Sequence, residues 1–457
     1  MENIQDIVKL QREYFASKRT LDLRFRKKML KRLRRAIKAH EAEIAWALHA
    51  DLGKSETESY MCEIGLALGE ISFHIKNLEK MARPKRKRTP LAAFPARSFT
   101  IREPYGCVLI MSPWNYPFLL CMQPLAGAIA AGNCAVIKPS AYSPATSGVI
   151  KRIIGEVFEP GLAEVVEGGR AENTELLEQR FDYIFFTGGV KVGKLVMEKA
   201  SKNLTPVTLE LGGKSPCIID RSCNIKLAAR RVAFGKFLNC GQTCVAPDYI
   251  LIHRAVKDEF IKEFEHQIEV MYSEDPLSAR DYGKIINEKH FDRLRGLIDP
   301  AKVIYGGNCD VIGNKIAPTI MDGVTEDDAV MQEEIFGPIM PVITVDSMEE
   351  AERFIKKREK PLALYVFTNS RKTEKRFIKE TSFGGGCVND TIMHISNEAL
   401  GFGGVGHSGM GAYHGKKSFE TFSHEKSILK TSSRLDVPVR YAPYSRLQGR
   451  ILRMFLK

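Results

Sequence analysis

"GCVLIMSPWNYPFLLCMQPLAGAIAAGNCAVIKPS" (residues 106–140) decides the fold. "GCVLIMSP" is a continuous apolar run, as in a strand covered on both faces. "PLAGAIAAG" is a helix of small residues that stops at a glycine. "CAVIKPS" is a second apolar strand. Strand, helix and strand in that order imply two parallel neighbours joined by a crossover. The rhythm continues outward. "ATSGVIKRIIGEVF" (145–158) reads as a helix, "FDYIFFTGG" (181–189) as a strand entering a glycine turn, and "KVGKLVMEKAS" (191–201) as the helix after it.

A second α/β series follows residue 210. It runs through "SPCIID", "NIKLAARRVAFGKFLN", "DYILIHR", "VKDEFIKEFEHQIEVMY", "APTIMDGV", "PVITVD", "MEEAERFIKKR" and "LALYVFT". Upstream, "LDLRFRKKMLKRLRRAI" and "EIGLALGEISFHIKNLEKM" carry apolar residues at helical spacing. Between these helices and the first strand, "RPKRKRTPLAAFPARSFTIREP" (83–104) holds four prolines and reads as an extended segment or hairpin outside the core.

The whole chain has 457 residues, 44 % of them apolar, which suits two or three globular domains. Its ten cysteines form no C-x-x-C pair, so a reduced, intracellular chain is expected. No metal-binding motif stands out. The N-terminus matches no signal or transit peptide, and no apolar run approaches a membrane span. A soluble cytoplasmic protein is the expectation. The net charge of +13 is concentrated in "RFRKKMLKRLRR", "RPKRKR" and the C-terminal tail. The first run reads as a solvated helix face; without a nucleic-acid motif or interleaved aromatics, nucleic acid is not an expected partner.

Four segments bear chemistry. In "FLNCGQTCVAPD" (237–248), Cys244 is either a small buried apolar side chain or a nucleophile activated without histidine. "LELGGKSP" sets Glu210 among apolar residues, as a structural carboxylate or as a base with a raised pKa. "SPWNYP" fixes Asn115 between prolines, either for turn chemistry or as an oxyanion donor. "FFTGGVKVG" offers Gly188, Gly189 and Gly193 as a phosphate turn at a helix start, or as a structural turn. Thiol, carboxylate, carboxamide and glycine turn in one α/β chain suggest acyl chemistry with a dinucleotide.

With "PWNYP", "IKPS", "FTGG", "LELGGKSP", "GQTC", "EEIFGP" and "GFGG…HSGMG" in this order, the chain resembles the NAD(P)-dependent aldehyde dehydrogenases over nearly its whole length. "GQTCVAPDY" and "FGGVGHSGMGAYHGKKSFETFSH" resemble the class 3, fatty and aromatic aldehyde branch.

The resemblance implies oxidation of an aldehyde to its acid. Cys244 would form a thiohemiacetal and, after hydride transfer to NAD or NADP, a thioester. Asn115 and the Cys244 N–H would hold the oxyanion, and Glu210 would activate the hydrolytic water. Lys138 would bind the adenosine ribose, with Ala141 standing where NAD-preferring relatives commonly carry glutamate. Thr187, Gly188, Gly189 and Gly193 would form the cofactor turn, and Glu334 and Phe336 would position the nicotinamide ribose. Phe402 would face the substrate. Glu333 and His414 would be site neighbours, and Cys240 structural or a redox partner.

The implied fold is aldehyde dehydrogenase-like α/β. A Rossmann-type cofactor domain would take residues 1–86 and 104–209, and a catalytic domain 210–415. A small oligomerisation arm would take 87–103 and 416–440, and the branch implies a homodimer. The tail, 441–457, sets Leu447, Ile451, Leu452, Phe455 and Leu456 among arginines, a short basic amphipathic pattern suited to weak membrane-surface contact. An acylating relative that passes its thioester to coenzyme A would generally lack the Glu210-type base. A cysteine hydrolase would want a histidine partner. A catalytically silent binding protein would not need Cys244, Glu210 and Asn115 together.

Overall fold

The structure, a computed structural model, describes residues 3–455, without the side chain of Phe455. The opening stretch folds as strand Cys107–Met111, helix Leu119–Ala131 and strand Cys134–Lys138. The strands pair in parallel from Cys107↔Cys134 to Met111↔Lys138, and every residue of both is buried. The helix stops at Gly132 (φ 100°), where an added Cβ would lie 2.5 Å from the Arg26 guanidinium carbon.

This sheet has six strands in the order Gly409–Met410, Val207–Leu211, Tyr183–Gly188, Cys107–Met111, Cys134–Lys138, Ala163–Val165. All pairings are parallel except that of Gly409–Met410. The chain builds from Cys107–Met111 to one edge, then returns to its other side as Tyr183–Gly188. The order therefore reverses between these two strands, and a ligand crevice belongs beyond their carboxyl ends.

A second sheet of seven strands runs Val303–Tyr305, Thr319–Met321, Ile339–Val345, Tyr249–His253, Pro216–Ile219, Ala363–Phe367, Gly385–Val388. Only Val303–Tyr305 is antiparallel to its neighbour. A small antiparallel sheet joins Lys85–Lys87, Arg97–Pro104 and Ser423–Lys430, and so accounts for the proline-rich segment.

Three details depart from the expected partition. Gly409–Met410, numbered with the second unit, pairs back onto Val207–Leu211, with Gly409 opposite Glu210. Helix Lys416–Thr421, numbered with the arm, packs instead on helix Leu119–Ala131: a Cβ at Gly127 would come within 2.7 Å of Ser418 Cβ. The arm strand starts at Lys85, not at 87.

The N-terminal helices Ile4–Ala16, Leu23–Ala39 and Glu41–Leu52 bury Leu30, Leu33 and Ile37 and leave the basic face in solvent. The helix expected from Glu63 is instead entered through a π-helical turn, Tyr60–Ile64. The tail forms helix Arg446–Phe455; Leu456 and Lys457, which end its expected pattern, lie outside the described residues.

Candidate active site

Asn115 follows the first strand into the crevice and is 2 % exposed. Its Nδ2 donates to the Gln242 carbonyl at 3.0 Å, leaving the second amide hydrogen for the cavity it lines. Its own carbonyl accepts from Lys54 Nζ (3.0 Å) and Asn239 Nδ2 (2.8 Å). Lys54, itself buried, also donates to Glu63 Oε1 at 2.5 Å. Glu63 Oε2 accepts the backbone N–H groups of Phe118 and Leu119. The loop is held at both ends before any ligand arrives.

The thiol-bearing loop leaves helix Ile225–Phe237 through three consecutive left-handed residues, Asn239 (φ 51°), Cys240 (φ 52°) and Gly241 (φ 73°). Gly241 is obligatory, because a Cβ there would stand 2.2 Å from the Gly337 carbonyl oxygen. The Gln242 side chain donates to Asn239 and Lys284 carbonyls and accepts the Ile286 N–H. Gly241 and Gln242 thus set the path of the loop that presents Cys244.

Cys244 is partly exposed. Loss of solvent, then the nearby Glu334 and Glu210 carboxylates, push its thiol up to about 12; the N–H groups of Cys244 and Val245 pull the other way. Cys240 is 2 % exposed and lines neither cavity described below.

Glu210 is 2 % exposed in strand Val207–Leu211. Neither carboxylate oxygen finds a partner among the described residues, and burial raises its pKa well above the usual carboxylate range. Glu334 rests over the next turn, where a Cβ at Gly212 would meet Glu334 Oε2 at 2.0 Å. Burial, then Asp248, raise Glu334 to about 8. Its loop is fixed by the Ile335 N–H donating to Asp248 (2.9 Å), by Lys214 Nζ donating to the Glu333 carbonyl (2.8 Å), and by Arg293 donating to the Glu333 carboxylate (2.8 Å) and the Ile335 carbonyl (2.5 Å).

Two cavities meet at Cys244. The larger, about 500 Å³, gathers Asn115, Glu210 and Cys244 with Thr187, Gly188 and Gly189. Glu333, Glu334, Phe336 and Phe402 also line it. Sequence reasoning named Phe336 and Phe402 and missed Trp114 and His290, which complete its aromatic wall. Trp114 lies 4.9 Å from the His290 ring and meets Phe336 edge-on at 5.3 Å. Burial, aided by Arg293 and Lys289, lowers His290 to about 4, so the ring is neutral at physiological pH. The cavity suits a dinucleotide: Thr187 Oγ1 is buried without a partner among the described residues, a Cβ at Gly189 would meet nothing within 4 Å, and helix Val190–Ser201 starts there.

Lys138, Ala141 and Gly193 do not line this cavity. Lys138 Nζ donates to the Pro139 and Gly168 carbonyls at 2.7 and 2.6 Å, and burial lowers its pKa. Ala141 is exposed. Gly193 lets its helix approach the sheet, since a Cβ would meet Leu211 Cδ2 at 2.6 Å.

The smaller cavity, about 160 Å³, is walled by apolar side chains such as Met61, Leu66, Leu119, Phe234, Leu238 and Ile392. His414 also lines it, stacked on Phe402 at 5.3 Å and, lowered by burial to about 4 against the pull of Glu70, uncharged at physiological pH. Only Leu120, Cys244, Phe402 and Tyr413 belong to both linings. Among the described residues no side-chain group could hold a metal ion, and no helix is long and apolar enough to cross a membrane.

A thiol between an apolar pocket and a dinucleotide-sized crevice, with a carboxamide and an unpaired carboxylate beside it, can capture and oxidise a carbonyl. Comparison with known proteins agrees. The profile described as "Aldehyde dehydrogenase family" matches residues 1–428. The chain is 51 % identical to 4,4'-diaponeurosporen-aldehyde dehydrogenase of Staphylococcus aureus (strain NCTC 8325 / PS 47) over 433 residues, 94 % of each chain. It is 49 % identical to the dimeric NADP-preferring aldehyde dehydrogenase of Rattus norvegicus, covering 94 % of this chain and 95 % of that one. A solved structure described as the substrate-bound state of Staphylococcus aureus AldH superposes with a TM-score of 0.98 at 48 % identity, covering all of both chains. The chain therefore belongs to the aldehyde dehydrogenase family and oxidises an aldehyde to its carboxylic acid with NAD(P), through a cysteine-bound thioester.

Proposed function

We propose that Cys244 is the nucleophile, Asn115 the oxyanion donor and Glu210 the hydrolytic base, acting on an apolar aldehyde that enters through the smaller cavity. The observation that carries this reading is the place of Cys244 on the wall of both cavities. The Cys244 thiol gives up its proton to water, its sulfur adds to the carbonyl carbon, and the carbonyl oxygen gains negative charge beside the free Asn115 amide hydrogen and the Cys244 N–H. Thr187, Gly188, Gly189, Glu334 and Phe336 would hold NAD(P), which would supply the hydride acceptor for oxidation to the thioester level. Glu210 takes a proton from water as its oxygen attacks the thioester carbon; the carbon–sulfur bond breaks, the acid leaves and Cys244 is restored. Cys244→Ala abolishes formation of reduced cofactor at 340 nm, whereas Cys240→Ala retains most of it. A dead Cys240 variant with an active Cys244 variant would overturn the assignment.

The cofactor reading is dual use of NAD and NADP, with NADP at least comparable. Ala141 offers no carboxylate to repel a 2′-phosphate. Lys138 is engaged with two carbonyls, so discrimination rests on the surroundings of Ala141. The name of the rat relative supports acceptance of NADP. Ala141→Glu shifts the ratio of kcat/KM towards NAD; an unmoved ratio, or a native enzyme that already rejects NADP, counts against this reading.

A cytoplasmic homodimer completes the proposal. The arm carries exposed Leu91, Phe94 and Leu429, which suit burial against a second copy. Helix Arg446–Phe455, with Leu447 and Met454 exposed beside Arg446, Arg450 and Arg453, suits weak contact with an anionic membrane surface.

A further inference from the structure

The apolar cavity contains a buried amide that the chemistry above does not use. Gln123 projects from helix Leu119–Ala131, which also contributes Leu119 and Leu120 to the wall. It is 5 % exposed; its Oε1 is enclosed without a hydrogen-bond partner, and its Nε2 donor has none either among the described residues. Among the other polar groups of the wall, the Tyr116 hydroxyl and Thr243 Oγ1 lie 2.6 Å apart, Ser396 Oγ donates to the Met393 carbonyl at 2.8 Å, and the His414 ring stacks on Phe402. A buried amide left unpaired costs free energy that a ligand can recover. Leu120 touches both cavities, whereas Gln123, nearly one helical turn further on, lines only the apolar one. The amide therefore faces the substrate chain away from the cofactor side.

We propose that Gln123 selects, among apolar aldehydes, those carrying one hydrogen-bonding oxygen part-way along the chain. The inference rests on the reading that the smaller cavity takes the aldehyde. An ether, keto or hydroxyl oxygen at the matching depth accepts a hydrogen bond from Gln123 Nε2, and an unbroken alkyl chain leaves that donor unpaired. Gln123 acts on specificity and takes no part in bond making.

The test is an oxygen scan of octanal. 3-Butoxypropanal, 4-propoxybutanal and 5-ethoxypentanal keep its length and move one ether oxygen along it. Wild type is expected to prefer one isomer over its neighbours by about three- to tenfold in kcat/KM, the scale of one net hydrogen bond. Gln123→Met, close in shape and without the amide, is expected to flatten that ranking and to oxidise octanal at least as well as wild type. An unchanged ranking in the variant overturns the proposal. So does a uniform loss on all four aldehydes, the result a purely structural glutamine would give. If wild type oxidises none of the four, the aldehyde reading of the cavity falls, and this inference falls with it.

Discussion

Glu210 combines deep burial with two unpaired oxygens, an expensive arrangement for a carboxylate. Its raised pKa keeps it protonated at pH values where an ordinary carboxylate is ionised. Only the deprotonated form can accept a proton from the hydrolytic water, so deacylation slows as pH falls through that elevated value. Glu210→Gln should release a burst of about one equivalent of reduced cofactor per active site and then stall, seen in stopped-flow traces at 340 nm. Steady turnover at the native rate would remove Glu210 from the mechanism. Asn115 and Glu210 were legible beside Cys244 because each sits in a short segment of unusual composition, "SPWNYP", "LELGG" and "GQTC". Trp114 was in view within "SPWNYP", yet only folding brings it to His290 and Phe336. Nothing local in the sequence marks His290 or Arg293, because their roles depend on the helix that carries them meeting the 333–338 loop.

Among elements, the loop 238–244 stores strain that its surroundings must hold. Left-handed non-glycine residues cost on the order of 1 kcal/mol or more each, and Asn239 and Cys240 stand in tandem. The Asn239 N–H donates to Glu58 at 2.9 Å, and its side chain reaches the Asn115 carbonyl, so the strained path is bonded into the oxyanion loop. Gly241→Ala should drive the new methyl into the Gly337 carbonyl. The expected outcome is a loss of about 1–3 kcal/mol in stability and at least a tenfold fall in kcat/KM, checked by calorimetry and steady-state kinetics. A variant matching wild type in both would show that the loop relaxes freely. The longer apolar strands, Cys107–Met111, Cys134–Lys138, Tyr183–Gly188, Pro216–Ile219 and Tyr249–His253, were readable from their apolar runs; short strands such as Ala163–Val165 and Val303–Tyr305 were not. The pairing of Gly409–Met410 with Val207–Leu211 was not, because a two-residue strand carries no periodicity and its partner is remote in sequence. The π-helical turn Tyr60–Ile64 was equally hidden, since its apolar spacing resembles that of the helix it enters.

For the whole molecule, the tail and the catalytic body are separable. Helix Arg446–Phe455 lies beyond the small sheet, and its residues line neither cavity. Removal of residues 441–457 should leave kcat/KM and the oligomeric mass by light scattering unchanged while abolishing co-sedimentation with anionic vesicles. Equal sedimentation of the full and shortened chains would end the membrane reading. The partition at Cys244 has a consequence for inheritance and redesign. Because just four side chains are common to both cavities, a descendant can exchange the walls of the apolar pocket, one residue at a time, without renegotiating the grip on its coenzyme. The scaffold works as a socket with a fixed power side and a replaceable fitting, so new aldehydes are reachable by steps that each leave a working catalyst.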